Sequence, residues 1–130
     1  PNGECLVTRE YPDVNFVLDL IHSAKGIAVM AHPVMFNNTE LLLELIEAGK
    51  LDGIEVYHYS ATPTQQQKLV DIAKEHDLIV TGGSDFHGLY NETMTHIGSM
   101  TTDKENLDKL FKLIHINSQK ANKAAVKVEK

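Results

Sequence analysis

The segment LIVTGGSDFHG, residues 78–88, joins an aliphatic run to two glycines, a serine, an acid and a histidine. Its first half has the composition of a buried strand. Its second half places Asp85 and His87 two residues apart, and in an extended segment residues i and i+2 point to the same face. We therefore expect both side chains to reach one ion or one substrate atom, with the flanking glycines allowing close approach. The alternative is an Asx-type turn that carries a surface histidine.

Two other segments have the same near-continuous apolar character, GIAVMAHP at 26–33 and DGIEVYH at 52–58. Such runs are typical of parallel strands that are covered on both faces. Amphipathic helical patterns alternate with the three strands at 14–26, 38–50 and 62–77. The pairs Thr62 with Gln65 and Thr102 with Glu105 each have the spacing of a capping box, so a helix is predicted to follow each threonine.

This alternation of helices and strands predicts an α/β fold with a parallel sheet, or part of a barrel. Three strands are few for a closed barrel, and the open strand edges of an incomplete one favour self-association. Residues 119–130 are polar and rich in lysine. We expect them to form a solvated tail or frayed helix end, separate from the folded portion at 1–118.

Composition narrows the function classes. The 130 residues suit one domain, and the net charge of −6 argues against a surface that binds duplex nucleic acid. Arg9 is the single arginine of the chain. Cys5 is the single cysteine, so a disulfide within the chain is excluded. We therefore expect the protein to work in a reducing compartment, the cytoplasm. No apolar run is long enough to predict a membrane span.

All three predicted strands end in polar or titratable residues. His32 ends the first, His58 the second, and Asp85 with His87 the third. Because the carboxyl ends of parallel strands meet at one edge of a sheet, these side chains are expected to converge. Imidazole and carboxylate groups are suitable ligands for Zn²⁺, Mn²⁺ or Fe²⁺. His58 and Glu55 are also plausible as supporting or pocket-lining groups.

These motifs resemble those of the PHP (polymerase and histidinol phosphatase) superfamily, in its branch of bacterial metal-dependent phosphoesterases. The resemblance covers about residues 20–115, and its most specific parts are GGSDFHG and the AHP at 31–33. It implies a distorted (β/α)7 TIM-like barrel and a centre of several Mn, Fe or Zn ions. It also implies hydrolysis of phosphoester bonds in small phosphorylated substrates, such as nucleotides, nucleoside bisphosphates or short oligonucleotide ends.

The resemblance assigns His32, Asp85 and His87 as metal ligands, and Asp85 and His87 as aids to proton transfer in catalysis. His58 matches a histidine that follows E-V-Y in the family, and we expect it to line the substrate site together with Ser84. A further family histidine is replaced here by Ala61.

The family's first H-x-H motif and its second-motif histidine and glutamate have no counterpart in the sequence. We therefore expect a C-terminal portion of a PHP phosphoesterase that is inactive alone, which the missing initiator methionine also indicates. One alternative is a non-catalytic PHP-like module that binds metal or stabilises a partner. Another is a barrel hydrolase that acts on amide bonds.

Overall fold

A computed structural model describes the backbone of residues 10–88 and 95–128, and the side chains of residues 10–88 and 95–121. It has the predicted α/β alternation. The elements are α1 (Val14–Ser23), β1 (Val29–Met30), α2 (Thr39–Glu47), β2 (Gly53–Tyr57), α3 (Pro63–Glu75), β3 (Ile79–Gly82) and α4 (Lys104–Val128). Cys5 and Arg9 lie outside the described residues.

The three strands form one parallel sheet in the order β1-β2-β3. Within the described residues the sheet is open, so a closed barrel is not seen. Its core consists of strand residues packed against aliphatic side chains of the helices, and Ile54 and Val56 on the central strand are fully buried. The cluster comprises Leu18, Ala28, Leu42, Leu45, Ile46, Leu51, Ile54, Val56, Leu69, Ala73 and Val80.

One predicted capping box is confirmed and the other is wrong. At α3, the Thr62 hydroxyl accepts the Gln65 N–H, and the Gln65 side chain accepts the Thr62 N–H at 2.9 Å. At α4, Asp103 caps the helix by accepting the N–H of Asn106 at 2.9 Å. Thr102 does not cap the helix, because its hydroxyl accepts a hydrogen bond from the backbone N–H of Gly82 in β3.

The hydrogen bond of Thr102 to Gly82 is one of several contacts by which residues 101–106 cover the outer edge of β3. The N–H of Gly82 donates to the Thr102 hydroxyl at 3.1 Å, and the N–H of Val80 donates to the side-chain oxygen of Asn106 at 2.9 Å. A Cβ atom on Gly82 would lie only 2.6 Å from the Tyr57 Cβ and 2.9 Å from the Thr101 carbonyl oxygen. Glycine is therefore required at position 82, where the segment 101–106 contacts the sheet.

Strand β1 is much shorter than the predicted run at 26–33, because carboxylates replace main-chain partners at both of its ends. The N–H of Ala28 donates to Asp52 Oδ2 at 2.7 Å, and the N–H of His32 donates to Glu55 Oε2 at 2.9 Å. The N–H and C=O groups of Val29 point away from β2, and no partner for them occurs among the described residues. The outer edge of β1 is therefore open.

Helix α4 continues beyond the predicted end of the folded portion, through residues 119–128. The division into a domain at 1–118 and a tail at 119–130 stays a prediction. In the part of the chain that the structure describes, no helix is both long and apolar enough to cross a membrane.

Candidate functional site at the carboxyl ends of the strands

His58, at the end of β2, contacts residues from both neighbouring strand ends. Its side chain is fully buried, and its ring centroid lies 4.9 Å from that of His32, just after β1. Its Nε2 lies 3.4 Å from Oδ2 of Asp85, which follows β3. The structure therefore brings His32, His58 and Asp85 into one cluster, as the parallel arrangement of the strands requires.

The backbone of His32 is unusual. Because Pro33 follows it, His32 is expected to be extended, since the residue before proline favours that region, but the φ of His32 is +27°. Such a conformation costs a non-glycine residue about 1–3 kcal/mol. The hydrogen bond from the His32 N–H to the Glu55 carboxylate has a comparable magnitude, about 1.5–3 kcal/mol for a charged partner. The expectation of an extended His32 is wrong, and Glu55 offsets the cost of the turn.

The ring of His32 is held against Phe36 and His58, with its Nδ1 buried. Among the described residues this Nδ1 has no hydrogen-bond partner. A buried polar atom without a partner is uncommon and is costly unless something binds it. This nitrogen is therefore one of two in the cluster that a ligand could satisfy, the other being His58 Nε2.

His58 is oriented by Ser60. The backbone N–H of Ser60 donates to His58 Nδ1 at 3.3 Å, and the Ser60 hydroxyl lies 2.8 Å from the same nitrogen. Because Nδ1 accepts a hydrogen bond, the proton of the neutral ring belongs on Nε2, the nitrogen that faces Asp85. Nε2 lies 3.4 Å from Asp85 Oδ2 but makes no hydrogen bond among the described residues, so it is a second buried ring nitrogen without a partner.

Asp85 and His87 do not share a face in the way an extended segment would arrange them. Asp85 has a φ of +49°, which turns the chain, so the expected i, i+2 geometry is wrong. The His87 Nδ1–H donates to the Asp85 backbone carbonyl at 2.7 Å, and the His87 side chain is 63% exposed. This bond leaves a lone pair on His87 Nε2, an arrangement common in metal-binding histidines.

The remaining predicted residue, Ser84, is half-buried between Gly83 and Asp85. The assigned roles of His32, His58, Ser84, Asp85 and His87 stay predictions. The sequence predicts Glu55 only as a supporting or pocket-lining group, although a carboxylate in the middle of an apolar strand itself signals a partner, and here that partner is the His32 N–H.

The donor atoms suit a divalent cation in their chemistry. They comprise a buried imidazole nitrogen without a partner, a half-buried carboxylate and an imidazole whose tautomer is fixed by a carbonyl. Within residues 10–88 and 95–121, however, no group of three or more His, Cys, Asp or Glu side chains is arranged to hold a metal ion. A cavity of about 320 Å³, lined by Tyr57, Gln66, Ser99, Met100 and Thr101, lies beside the end of β2.

Comparison with known proteins supports the same chemistry. The chain is 33% identical over 96 residues to the phosphoribosyl 1,2-cyclic phosphate 1,2-diphosphodiesterase of Eggerthella lenta, covering 74% of this chain and 36% of that protein. It is 39% identical over 85 residues to a 5'-3' exoribonuclease of Haemophilus influenzae, covering 62% of this chain and 31% of that protein. The chain thus spans about a third of the length of these curated relatives. No protein-family model matches the sequence.

A solved structure shares the fold. The crystal structure of a "putative metal-dependent phosphoesterase" from Bifidobacterium adolescentis superimposes with a TM-score of 0.70 and 30% sequence identity, over 85% of this chain and 40% of that one. The relatives are a phosphodiesterase and an exoribonuclease, and the solved structure is described as a phosphoesterase, so the proteins that this chain resembles are hydrolases. The resemblance seen in the motifs is confirmed, because the chain is similar in sequence and in fold to part of proteins of the PHP superfamily.

Proposed function

We propose that the protein carrying this chain is a divalent-metal-dependent phosphoesterase. Its proposed substrates are small phosphorylated molecules, such as a nucleotide, a nucleoside bisphosphate or the end of a short oligonucleotide. The observation that carries the proposal is the cluster of half-buried His32, buried His58 and Asp85 at adjacent strand ends. The names of the relatives, a cyclic phosphate diphosphodiesterase and an exoribonuclease, support this range of substrates.

In this proposal His32, Asp85 and His87 hold a Mn, Fe or Zn ion. When bound, the ion supplies Lewis-acid stabilisation of the charge that develops on phosphoryl oxygens. Asp85, whose carboxylate lies beside His58, and the exposed His87 also move a proton to the leaving group. His58 and Ser84 line the substrate site.

We further propose that the open sheet is part of a distorted (β/α)7 TIM-like barrel and that the protein works in the cytoplasm. Three ligands are too few for a centre of several metal ions, so full activity requires residues beyond those of this chain. The net charge of −6 disfavours duplex nucleic acid as a partner. Self-association of the chain is proposed to use the open edge of β1, since the edge of β3 is covered.

The test combines metal analysis with turnover. Metal content is measured by inductively coupled plasma mass spectrometry after Mn²⁺ loading, on this chain and on the protein that carries it. Hydrolysis of p-nitrophenyl phosphate and of a 5'-phosphorylated oligoribonucleotide is measured on the latter. We expect Asp85→Asn and His87→Gln to lower both metal content and turnover, whereas the exposed His115→Gln on α4 changes neither. Unchanged metal content and turnover in both site variants would reject the proposal.

A non-catalytic metal-binding module is the second candidate. The observation that favours it is the exposed His87, whose ring is turned towards solvent and not into the cluster. It predicts that Asp85→Asn lowers the metal content of the protein while no phosphoester is hydrolysed, even by the wild type.

A further inference from the structure

We propose that Glu55 is a positioning residue for His32. Its carboxylate takes over the main-chain hydrogen bond of His32 where β1 leaves the sheet, and so fixes the direction of the imidazole. The purpose of this contact rests on the proposed function, in which His32 is a metal ligand. The contact itself does not depend on that function.

The pairing of β1 with β2 shows what Glu55 replaces. Met30 pairs with Ile54, and in a parallel ladder the next N–H of β1 that faces β2 is that of His32. If the ladder continued, this N–H would donate to the backbone carbonyl of Glu55. It donates instead to the side chain of the same residue, at 2.9 Å. The chain can therefore turn away from β2 at His32 without losing a partner for its N–H.

The second carboxylate oxygen of Glu55 faces β3. A Cβ atom placed on Gly83 would lie 3.2 Å from Glu55 Oε1, so the carboxylate lies directly against the backbone of this glycine. Glu55 thus sits between the strand end that carries His32 and the segment that leads to Asp85. Gly83 leaves the space that this position needs.

The competing explanation is that Glu55 only holds the end of β1 and does not orient the His32 ring. The chain contains a carboxylate of that simpler kind for comparison. Asp52 accepts the N–H of Ala28 at the opposite end of β1, by the same kind of bond. The residue that Glu55 holds differs, because His32 has a left-handed backbone and a buried Nδ1 without a partner among the described residues. Asp52 holds an alanine, whose methyl group has no ligand atom that needs to be oriented.

The experiment compares Glu55→Ala, Glu55→Gln and the matched control Asp52→Ala in the 130-residue chain. The first readout, taken without metal, is the amide shift of His32 and the ring-carbon shifts of His32 in NMR spectra. We expect Glu55→Ala to change both, because a charge-assisted hydrogen bond is lost. Glu55→Gln keeps an oxygen acceptor and should retain most of both signatures. Asp52→Ala should leave the His32 signals in place.

The second readout is the affinity of the chain for Co²⁺, followed by visible absorption. Loss of a residue that orients a metal ligand typically lowers metal affinity about 10–100-fold. We expect a loss in this range for Glu55→Ala, partial rescue by Glu55→Gln and a change below about twofold for Asp52→Ala.

The two readouts separate the possible failures. If the His32 signals are unchanged in Glu55→Ala, or Asp52→Ala lowers Co²⁺ affinity equally, the positioning role of Glu55 is overturned. If the wild type binds no Co²⁺ while Glu55→Ala still shifts the His32 signals, the ligand role of His32 fails and the orienting contact stands. Should Glu55→Ala not fold, Glu55→Gln decides, because a partial change in both the His32 signals and the Co²⁺ affinity supports the role, whereas wild-type values of both oppose it.

Discussion

Asn106 uses both ends of its side-chain amide at once. Its oxygen accepts the backbone N–H of Val80 at 2.9 Å, and its nitrogen donates to Asp103 at 2.8 Å. One side chain thereby joins the edge of β3 to the first turn of α4. Because Asp103 fixes the amide orientation, the oxygen faces the strand and the nitrogen faces the helix cap.

Replacing Asn106 with alanine should leave the Val80 N–H without its protein partner. We expect the free energy of unfolding to fall by about 1–2 kcal/mol, the usual range for a lost hydrogen bond that leaves a partly buried donor. Urea denaturation measures this change, and hydrogen exchange of the Val80 amide should accelerate. Lys112→Ala, an exposed change on the same helix, is the control. Equal stability of the two variants would contradict the role of Asn106.

The cap at Asp103 should make α4 sensitive to acid. The backbone N–H of Asn106, and then its side-chain amide, hold the pKa of Asp103 below its ordinary value of 3.8. A carboxyl with a lowered folded-state pKa contributes stability that is present above 3.8 and is lost as the pH falls through the folded-state pKa.

Thermal denaturation of the wild type and Asp103→Ala across pH tests this contribution. The difference in Tm should be largest at neutral pH and shrink below pH 3.8. Asp103→Asn retains an oxygen that can cap the helix, so its Tm should show less dependence on pH than that of the wild type. A constant difference between the wild type and Asp103→Ala at all pH values would refute the assignment.

Two adjacent leucines on α2 should respond very differently to truncation. Leu42 is fully buried, whereas Leu43 is 39% exposed. Leu42→Ala should lower the free energy of unfolding by about 2–5 kcal/mol, because the core loses apolar contacts and gains a cavity. Leu43→Ala should cost less than about 1 kcal/mol. Chemical denaturation of both variants checks the packing of α2 on the sheet, and similar losses would show that it is misplaced.

The open edge of β1 should govern any self-association of the chain. Val29 is 36% exposed at this edge. A lysine there places a charge beside the unpaired N–H and C=O groups, which disfavours pairing with a second copy. Sedimentation velocity over a range of concentrations should show less association for Val29→Lys than for the wild type. Leu43→Lys is matched in exposure and lies on a helix, so it should associate as the wild type does. Equal association of both variants would exclude β1 as the interface.

The order of elements and the convergence of the strand ends could be predicted because both follow from short-range patterns. Aliphatic runs mark parallel strands, and a parallel sheet puts His32, His58 and Asp85 at one edge whatever the details of the loops. The Thr62 capping box was predictable for the same reason, since its partners are three residues apart in the sequence.

The local geometry of the site could not be predicted, because it depends on contacts between distant segments. The turn at His32 is supported by Glu55, which lies 23 residues later in the sequence. The Thr102 hydroxyl accepts the N–H of Gly82, 20 residues earlier, and does not cap the helix that follows it. The positive φ of Asp85 likewise overrides the extended geometry that its D-x-H spacing suggests.

The two carboxylates at the ends of β1 also prevent the strand from sliding. A slip of β1 by two residues along β2 would keep each side chain on its original face, so hydrophobic burial alone opposes it weakly. With Asp52 holding Ala28 and Glu55 holding His32, such a slip would break both bonds together. The two-residue strand β1 therefore has a single register on β2. Because both of its ends are held, the position of His32 along the strand direction is fixed.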